Sequence, residues 1–189
     1  MYMNKIIESI KKKYPVSNDS IELLTSGFKK HLFPTKTHII SANKPDRNVF
    51  FIESGLTRSY VLTDGKETTT WFSKEGDWTY GSLDFLKNKV GFEYVQTLEE
   101  TVAYSIPIDT LNNLFQTNAE LANWARIAHQ EAFLLLQNLR IERLTLTAKE
   151  RYEKLLKDFP DLHNRVNLGY ISSYLGITLP TLSKIRAEY

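Results

Sequence analysis

Leu168 to Ile185 reads LGYISSYLGITLPTLSKI. With Leu168 as the first position, Ile171, Leu175, Ile177, Leu182 and Ile185 fall where a helix-turn-helix requires apolar side chains. Ser172 is the small residue where the two helices cross, and Gly176 opens the turn. The spacing has a physical basis. Ile171 and Leu175 are four apart and share one helix face. Gly176 can adopt the left-handed conformation that ends a helix. Thr178 can cap the next helix, with Pro180 in its first turn, where a missing N–H costs little. Such a unit lays its second helix in the DNA major groove. The same spacing also fits an ordinary αα-corner in a small helical cap.

Working outward, the basic residues lean toward this end. Residues 1–139 hold 15 basic and 16 acidic side chains, a net of −1. Residues 140–189 hold 9 and 6, a net of +3, within an overall charge of +2. That bias suits a nucleic-acid partner, although no global basic field announces one. There is no cysteine, which excludes disulfides, thiol chemistry and Cys-held metals. Ten Tyr, ten Phe and three Trp in 189 residues are enough to build a substantial core. The start, MYMNKIIESIKKKYP, has no long apolar stretch and no cleavage site, so no signal peptide is expected. No apolar run reaches the length of a membrane span. The expectation is a cytoplasmic protein with no membrane partner.

Three regimes follow one another. Residues 4–31 have amphipathic helical spacing, broken by Pro15. Residues 32–107 read as short strands between glycines at 55, 65 and 76, the pattern of a β-barrel or sandwich. Within them Leu56, Arg58, Tyr60 and Leu62 alternate with Thr57, Ser59 and Val61. Thr63-Asp64-Gly65-Lys66 is a hairpin turn, and YVQTLEETVAYSI supplies two last strands. From Asp109, read as the cap of TLNNLF, the chain is helical. A long helix is predicted from Ala119 to Leu144. Along it Leu121, Ala125, Ala128, Ala132, Leu135 and Leu139 form a heptad seam. The seam serves either pairing with a second copy or packing on the chain's own barrel. Thr147 and Glu150 make a capping box that opens the next helix. The expected units are 1–118 (helices and barrel), 119–145 (long helix) and 146–189 (helix-turn-helix).

This order of barrel, long helix and helix-turn-helix resembles the Crp–Fnr family of bacterial transcription regulators. FFIESGLTRSYVLTDGKETTTWFSKEGDW looks like the first part of a cyclic-nucleotide-binding barrel. AKERYEKLLKDFP looks like the helix that leads into the DNA head, and ISSYLGITLPTLSKIR looks like the head itself. The resemblance implies an α+β fold: a double-stranded β-helix (jelly-roll) barrel, a dimerisation helix and a winged-helix-like head. It also implies a homodimer on double-stranded DNA, with RNA polymerase as a further partner and a small-molecule effector of unknown identity.

The chain departs from that family in two places. Members that bind cyclic AMP hold its ribose with a Gly-Glu-Leu turn and its phosphate with an Arg-Ser pair. Here the turn reads Gly81-Ser82-Leu83, and Phe92-Glu93 stand at the Arg-Ser position. An anionic phosphate in a partly buried pocket needs a bidentate Arg, and Glu93 would repel it. Cyclic AMP is therefore not the expected ligand. Trp71, Trp78, Tyr80, Phe92 and Tyr94 gather near Gly81, Ser82 and Leu83, either lining a pocket for an apolar or planar effector or filling the barrel. In the second helix of the motif, Leu179 and Pro180 stand at base-reading places. Neither can hydrogen-bond a base, though Leu179 can touch a thymine methyl. Lys184 matches the remaining base-reading place. Thr178, Thr181, Ser183 and Arg186, together with Arg165, are the expected phosphate contacts.

Catalysis finds little support. The four histidines, at 31, 38, 129 and 163, show no ligand spacing, and no phosphate-binding Gly loop occurs. No catalytic residue, metal or cofactor is expected. Two classes remain: a DNA-binding regulator, and a sensing barrel whose helical tail touches only other proteins.

Overall fold

A computed structural model describes residues 3–81 and 91–188. Helices α1 (Asn4–Lys13) and α2 (Asn18–Ser26) come first. Strands follow: β1 (Lys29–Phe33), β2 (His38–Ile40), β3 (Asn48–Ser54), β4 (Thr57–Thr63), β5 (Lys66–Ser73), β6 (Trp78–Thr79), β7 (Glu93–Thr97) and β8 (Thr101–Pro107). The rest is helical: α3 (Ile108–Thr117), α4 (Ala119–Thr145), α5 (Ala148–Asp158), α6 (Leu162–Arg165), α7 (Leu168–Leu175) and α8 (Leu179–Arg186).

The strands form two antiparallel four-stranded sheets, ordered β1-β8-β3-β6 and β2-β7-β4-β5. This is the jelly-roll arrangement, open as a sandwich rather than closed as a barrel. Among the described residues no ladder joins the sheets, and two-residue β6 pairs only with β3. The expected hairpin turn is present. Thr63 pairs with Lys66, and Asp64 and Gly65 both have positive φ, 53° and 74°. These angles match the right-handed twist of the flanking strands.

Two boundaries differ from expectation. Residues 29–31 belong to β1, because their partners on β8 provide the ladder that a lone amphipathic turn lacks. The helix after β8 begins at Ile108, with Pro107 at its cap position. Asp109 instead sits in the first turn and accepts a hydrogen bond from Arg47 at 2.6 Å.

One core lies between α1, α2, α3, the start of α4 and the first sheet, and it includes Ile6, Leu24, Phe51, Ile106, Leu121 and Trp124. Burying each large apolar side chain there is worth about 1.5–3 kcal/mol. A second core belongs to the C-terminal helices, where Leu155, Ile171, Leu175, Leu182 and Ile185 close on one another. It does not stop at α5. Leu56, just before β4, and Phe72 of β5 are part of it, so the helical unit rests on the outer face of the second sheet. That face carries Leu56, Arg58 and Tyr60, the alternating set visible in the sequence.

Polar contacts secure the docking. Ser173 accepts from the Thr69 backbone N–H at 2.9 Å and donates to the Glu67 carbonyl at 3.2 Å. Arg165 bridges Glu75 at 2.7 Å and Glu99 at 2.5 Å. Burial raises the Glu75 carboxyl, but the hydrogen bonds from Arg165 and Gly55 outweigh it and leave it below its ordinary range. Arg165 is thus committed to two carboxylates of the sandwich and is not a spare cation for phosphate.

Candidate functional site

The helix-turn-helix has the geometry its spacing requires. Asn167 caps α7 by accepting from the Gly169 N–H at 2.7 Å. Gly176 ends it at φ 67°, ψ 35°, in the left-handed region. Thr178 caps α8, accepting from the Thr181 N–H at 3.3 Å. Ile171, Ser172, Leu175, Leu182 and Ile185 are all buried. The inner faces are thereby spent on packing, and the outer face of α8 is left to solvent. Thr178, Leu179, Pro180, Thr181, Ser183, Lys184 and Arg186 are all exposed along it. The hydroxyls of Thr178 and Thr181 bond each other at 2.8 Å, and among the described residues Lys184 and Arg186 enter no ion pair.

The long helix is buried in its first half and exposed in its second. Leu121, Ala125 and Ala128 are buried within the chain, the first two in the core formed with α1 and the first sheet. Leu135 and Leu139 continue the same face toward the sandwich and the C-terminal helices, where they line a cavity. The first three seam residues therefore pack inward, whereas Leu135 is 39 % exposed. Ala132 is exposed and lies at the edge of a second cavity. The opposite side of α4 is also apolar. Leu134, Ile141 and Leu144 are 61, 56 and 77 % exposed. Ile127, Leu134 and Ile141 are seven residues apart, which sets them on one stripe. In sequence the 121–139 heptad stands out by its regular small residues, whereas the outward stripe is flanked by Gln130 and Gln137.

Of the expected pocket residues, the structure brings three together. Trp71, Trp78 and Tyr80 face α4. Trp78 lies 5.1 Å from the Trp124 ring and 5.8 Å from Phe51. The Tyr80 hydroxyl meets His129 Nε2 at 3.4 Å, and burial pushes the Tyr80 phenol above its ordinary value. These residues border a cavity of about 330 Å3 between sandwich and helix. Gly81 is buried; Ser82 and Leu83 lie outside the described residues. Phe92 and Tyr94 do not join the group. Phe92 is 60 % exposed. Tyr94 stacks on Tyr60 at 5.0 Å, on the sheet face that carries Arg58, because successive residues of a strand point to opposite sides. Trp124 and Phe51 were missed as lining residues, since a Trp inside an amphipathic helix reads simply as core.

Arg58 is a second feature the sequence did not disclose. Its side chain is 1 % exposed, and it pairs with Glu67 at 2.5 Å. Its guanidinium lies between two rings, 4.3 Å from the centre of Tyr60 and 3.6 Å from that of Tyr170 on α7.

Among the described residues no cluster of His, Asp and Glu can hold a metal ion, and no helix is long and apolar enough to cross a membrane.

Comparison with known proteins agrees with this architecture. Residues 30–118 match the cyclic nucleotide-binding domain family. Similar solved structures include FixK2 from Bradyrhizobium japonicum, with 20 % identity, TM-score 0.70, and 85 % of this chain and 83 % of that one covered. The c-di-GMP-responsive global regulator CLP from Xanthomonas campestris is similar at 17 % identity, TM-score 0.68, over 91 % of both chains. A crp/fnr-family regulator from Eubacterium rectale is similar at 16 % identity, TM-score 0.70, over 92 % of this chain and 85 % of that one. No curated protein sequence matches the chain.

Proposed function

We propose, from a chain that carries a cyclic nucleotide-binding domain at residues 30–118 within the fold of the Crp/Fnr transcription regulators, that this protein is a dimeric DNA-binding regulator that does not respond to cyclic AMP. The observation that carries the reading is the outer face of α8. It is capped and backed by a packed core, yet exposes Leu179, Ser183, Lys184 and Arg186, and among the described residues neither cation has an ion-pair partner. A helix so presented fits the major groove, which admits an α-helix. Lys184 reaches a guanine or a phosphate, Leu179 touches a thymine methyl, and Thr178, Thr181, Ser183 and Arg186 meet the backbone. With few hydrogen-bonding side chains at base-reading places, part of the specificity rests on DNA shape. The working division is 1–118 for sensing, 119–145 for pairing and 146–189 for DNA.

Pairing runs through the outward stripe of α4. An apolar stripe this exposed is costly to leave in water. Two copies of Ile127, Leu134, Ile141 and Leu144 packed together remove it and set two α8 helices on successive half-sites. RNA polymerase contact follows from regulator function and has no residue assigned to it.

Cyclic AMP is set aside on chemistry. Phe92 is apolar and exposed, and Glu93 opens β7 with a carboxylate. Neither can take a phosphate.

Selection of random duplexes by the full chain tests the reading. An enriched, roughly palindromic motif with half-sites about one helical turn apart is the expected result. Recovery of no motif, with Lys184→Ala leaving DNA affinity unchanged, would replace this reading with that of a sensing protein whose tail contacts proteins.

A further inference from the structure

A cavity of about 300 Å3 opens where the sandwich, the long helix and the C-terminal helices meet. Its wall is mostly apolar: Trp71 from β5, Leu139 from α4, and Leu155, Phe159, Tyr174 and Leu175 from the helices that follow. Two arginines also line it. Arg143 donates to the Tyr174 carbonyl at 3.2 Å. Arg151 donates to the Leu146 carbonyl at 2.7 Å and the Leu175 carbonyl at 3.4 Å. Carbonyl oxygens satisfy donors without neutralising charge. Among the described residues no carboxylate lies within ion-pairing distance of either guanidinium. The Arg151 Nε is buried and has no acceptor at all.

Of the other charges around the cavity, which include the Asp158 carboxylate, most are occupied. Lys154 pairs with Glu142. Lys74 donates to the Asp158 carbonyl at 3.1 Å and lies over the Phe159 ring. Asp77 accepts from the Lys74 N–H at 3.0 Å, and burial pushes its carboxyl up, toward the uncharged form. Arg143 is exposed and Arg151 half-buried. Two cations that no carboxylate among the described residues pairs, set beside an apolar wall, favour one kind of guest, an anion with an apolar body. The chamber also extends. Trp71, Asp77 and Leu135 border the neighbouring cavity beside Trp78 and Trp124 as well, which leaves room for a linear tail.

We propose that this interdomain chamber binds an apolar monocarboxylate, with its carboxylate on Arg143 and Arg151 and its hydrocarbon body along Leu139, Leu155 and Trp71. Because three parts of the chain supply the wall, the bound molecule would tie their relative placement to its own concentration.

Calorimetry on the full chain without DNA, with octanoate as the probe and octan-1-ol as its uncharged counterpart, tests the site. Leaving DNA out separates this outcome from that of the DNA reading. Octanoate should bind one to one and octan-1-ol ~10-fold or more weakly, since hydrogen bonds to a charged group carry the difference. Arg143→Gln should weaken octanoate by a similar factor. Leu139→Trp, which fills the chamber and leaves both arginines in the sequence, should abolish binding. Arg151 also holds two carbonyls, so Arg151→Gln is scored only if its melting temperature matches the parent. No heat from octanoate at millimolar concentration, equal binding of octan-1-ol, or unchanged affinity in both Arg143→Gln and Leu139→Trp would overturn the proposal.

Discussion

The Arg58 guanidinium lies 3.6 Å over the ring of Tyr170. One residue belongs to β4 and the other to α7, so this pair joins the sandwich to the first helix of the helix-turn-helix. Cation–π contacts strengthen when both partners leave water, and Arg58 is nearly inaccessible. Arg58→Ala strands Glu67 and removes both ring contacts. It should cost about 2–3 kcal/mol in urea unfolding. Tyr170→Phe keeps the ring and should cost little, whereas Tyr170→Ala should cost about 1–2 kcal/mol. Arg58→Lys should not rescue, because an ammonium cannot stack flat between two rings. Equal stability of Tyr170→Ala and the parent would show that the pair contributes nothing.

The two faces of α4 should respond differently to charge. Leu134→Glu with Ile141→Glu should yield folded monomers by sedimentation equilibrium. Ala128→Glu forces a carboxylate into the chain's own packing and should lower the melting temperature before it changes mass. A folded monomer from Ala128→Glu alone would return the interface to the 121–139 seam.

DNA affinity should fall steeply with salt, and α8 should account for the cations involved. If Lys184 touches only phosphate, Lys184→Ala should reduce the log–log salt slope by about one and weaken all sequences alike. If Lys184 reads a guanine, the loss should be about 1–3 kcal/mol, with relaxed preference at one position. Arg165→Ala should leave the slope unchanged, since Arg165 is held by Glu75 and Glu99. A slope reduced by Arg165→Ala would mean that those bridges open on DNA.

Cyclic AMP should give no binding heat at micromolar concentrations. A micromolar dissociation constant would mean that some group other than Phe92-Glu93 receives the phosphate.

Alkaline pH should loosen the docking of α7. Burial pushes the Tyr174 phenol up to about 12, against an unfolded value near ~10. The folded state favours the neutral phenol, so this contribution is intact below pH ~10 and is lost as pH rises from ~10 to ~12. Urea midpoints should therefore be flat from pH 8 to 9.5 and drop above pH 10, with Tyr174→Phe flattening the drop. An identical alkaline fall in Tyr174→Phe would assign the effect to other tyrosines.

How much was legible followed from the range of the forces involved. Caps and turns are local, so Thr147-Glu150, Asp64-Gly65, Gly176 and Thr178 could be placed from neighbours a few residues away, and the structure has each in the role its chemistry suggests. Helix and strand periods are local too, which made the order of sandwich, long helix and helix-turn-helix readable. Closure was not. Whether two sheets seal into a barrel depends on ladders between strands distant in sequence, and among the described residues these do not join the sheets.

The sequence by itself determined the elements, their order, and an α8 surface without apolar periodicity to bury. Only the tertiary structure decided which side of α4 turns inward, because a helix with two apolar stripes offers both equally until α1 and the first sheet claim one. Only it placed Tyr94 with Arg58 rather than with Trp78, since the side of a strand that meets the core is set by its sheet partners. And only it showed that Arg165 is tied to Glu75 and Glu99 while, among the described residues, Arg143 and Arg151 lack carboxylate partners, because charges distant in sequence find or miss one another only once the chain has folded.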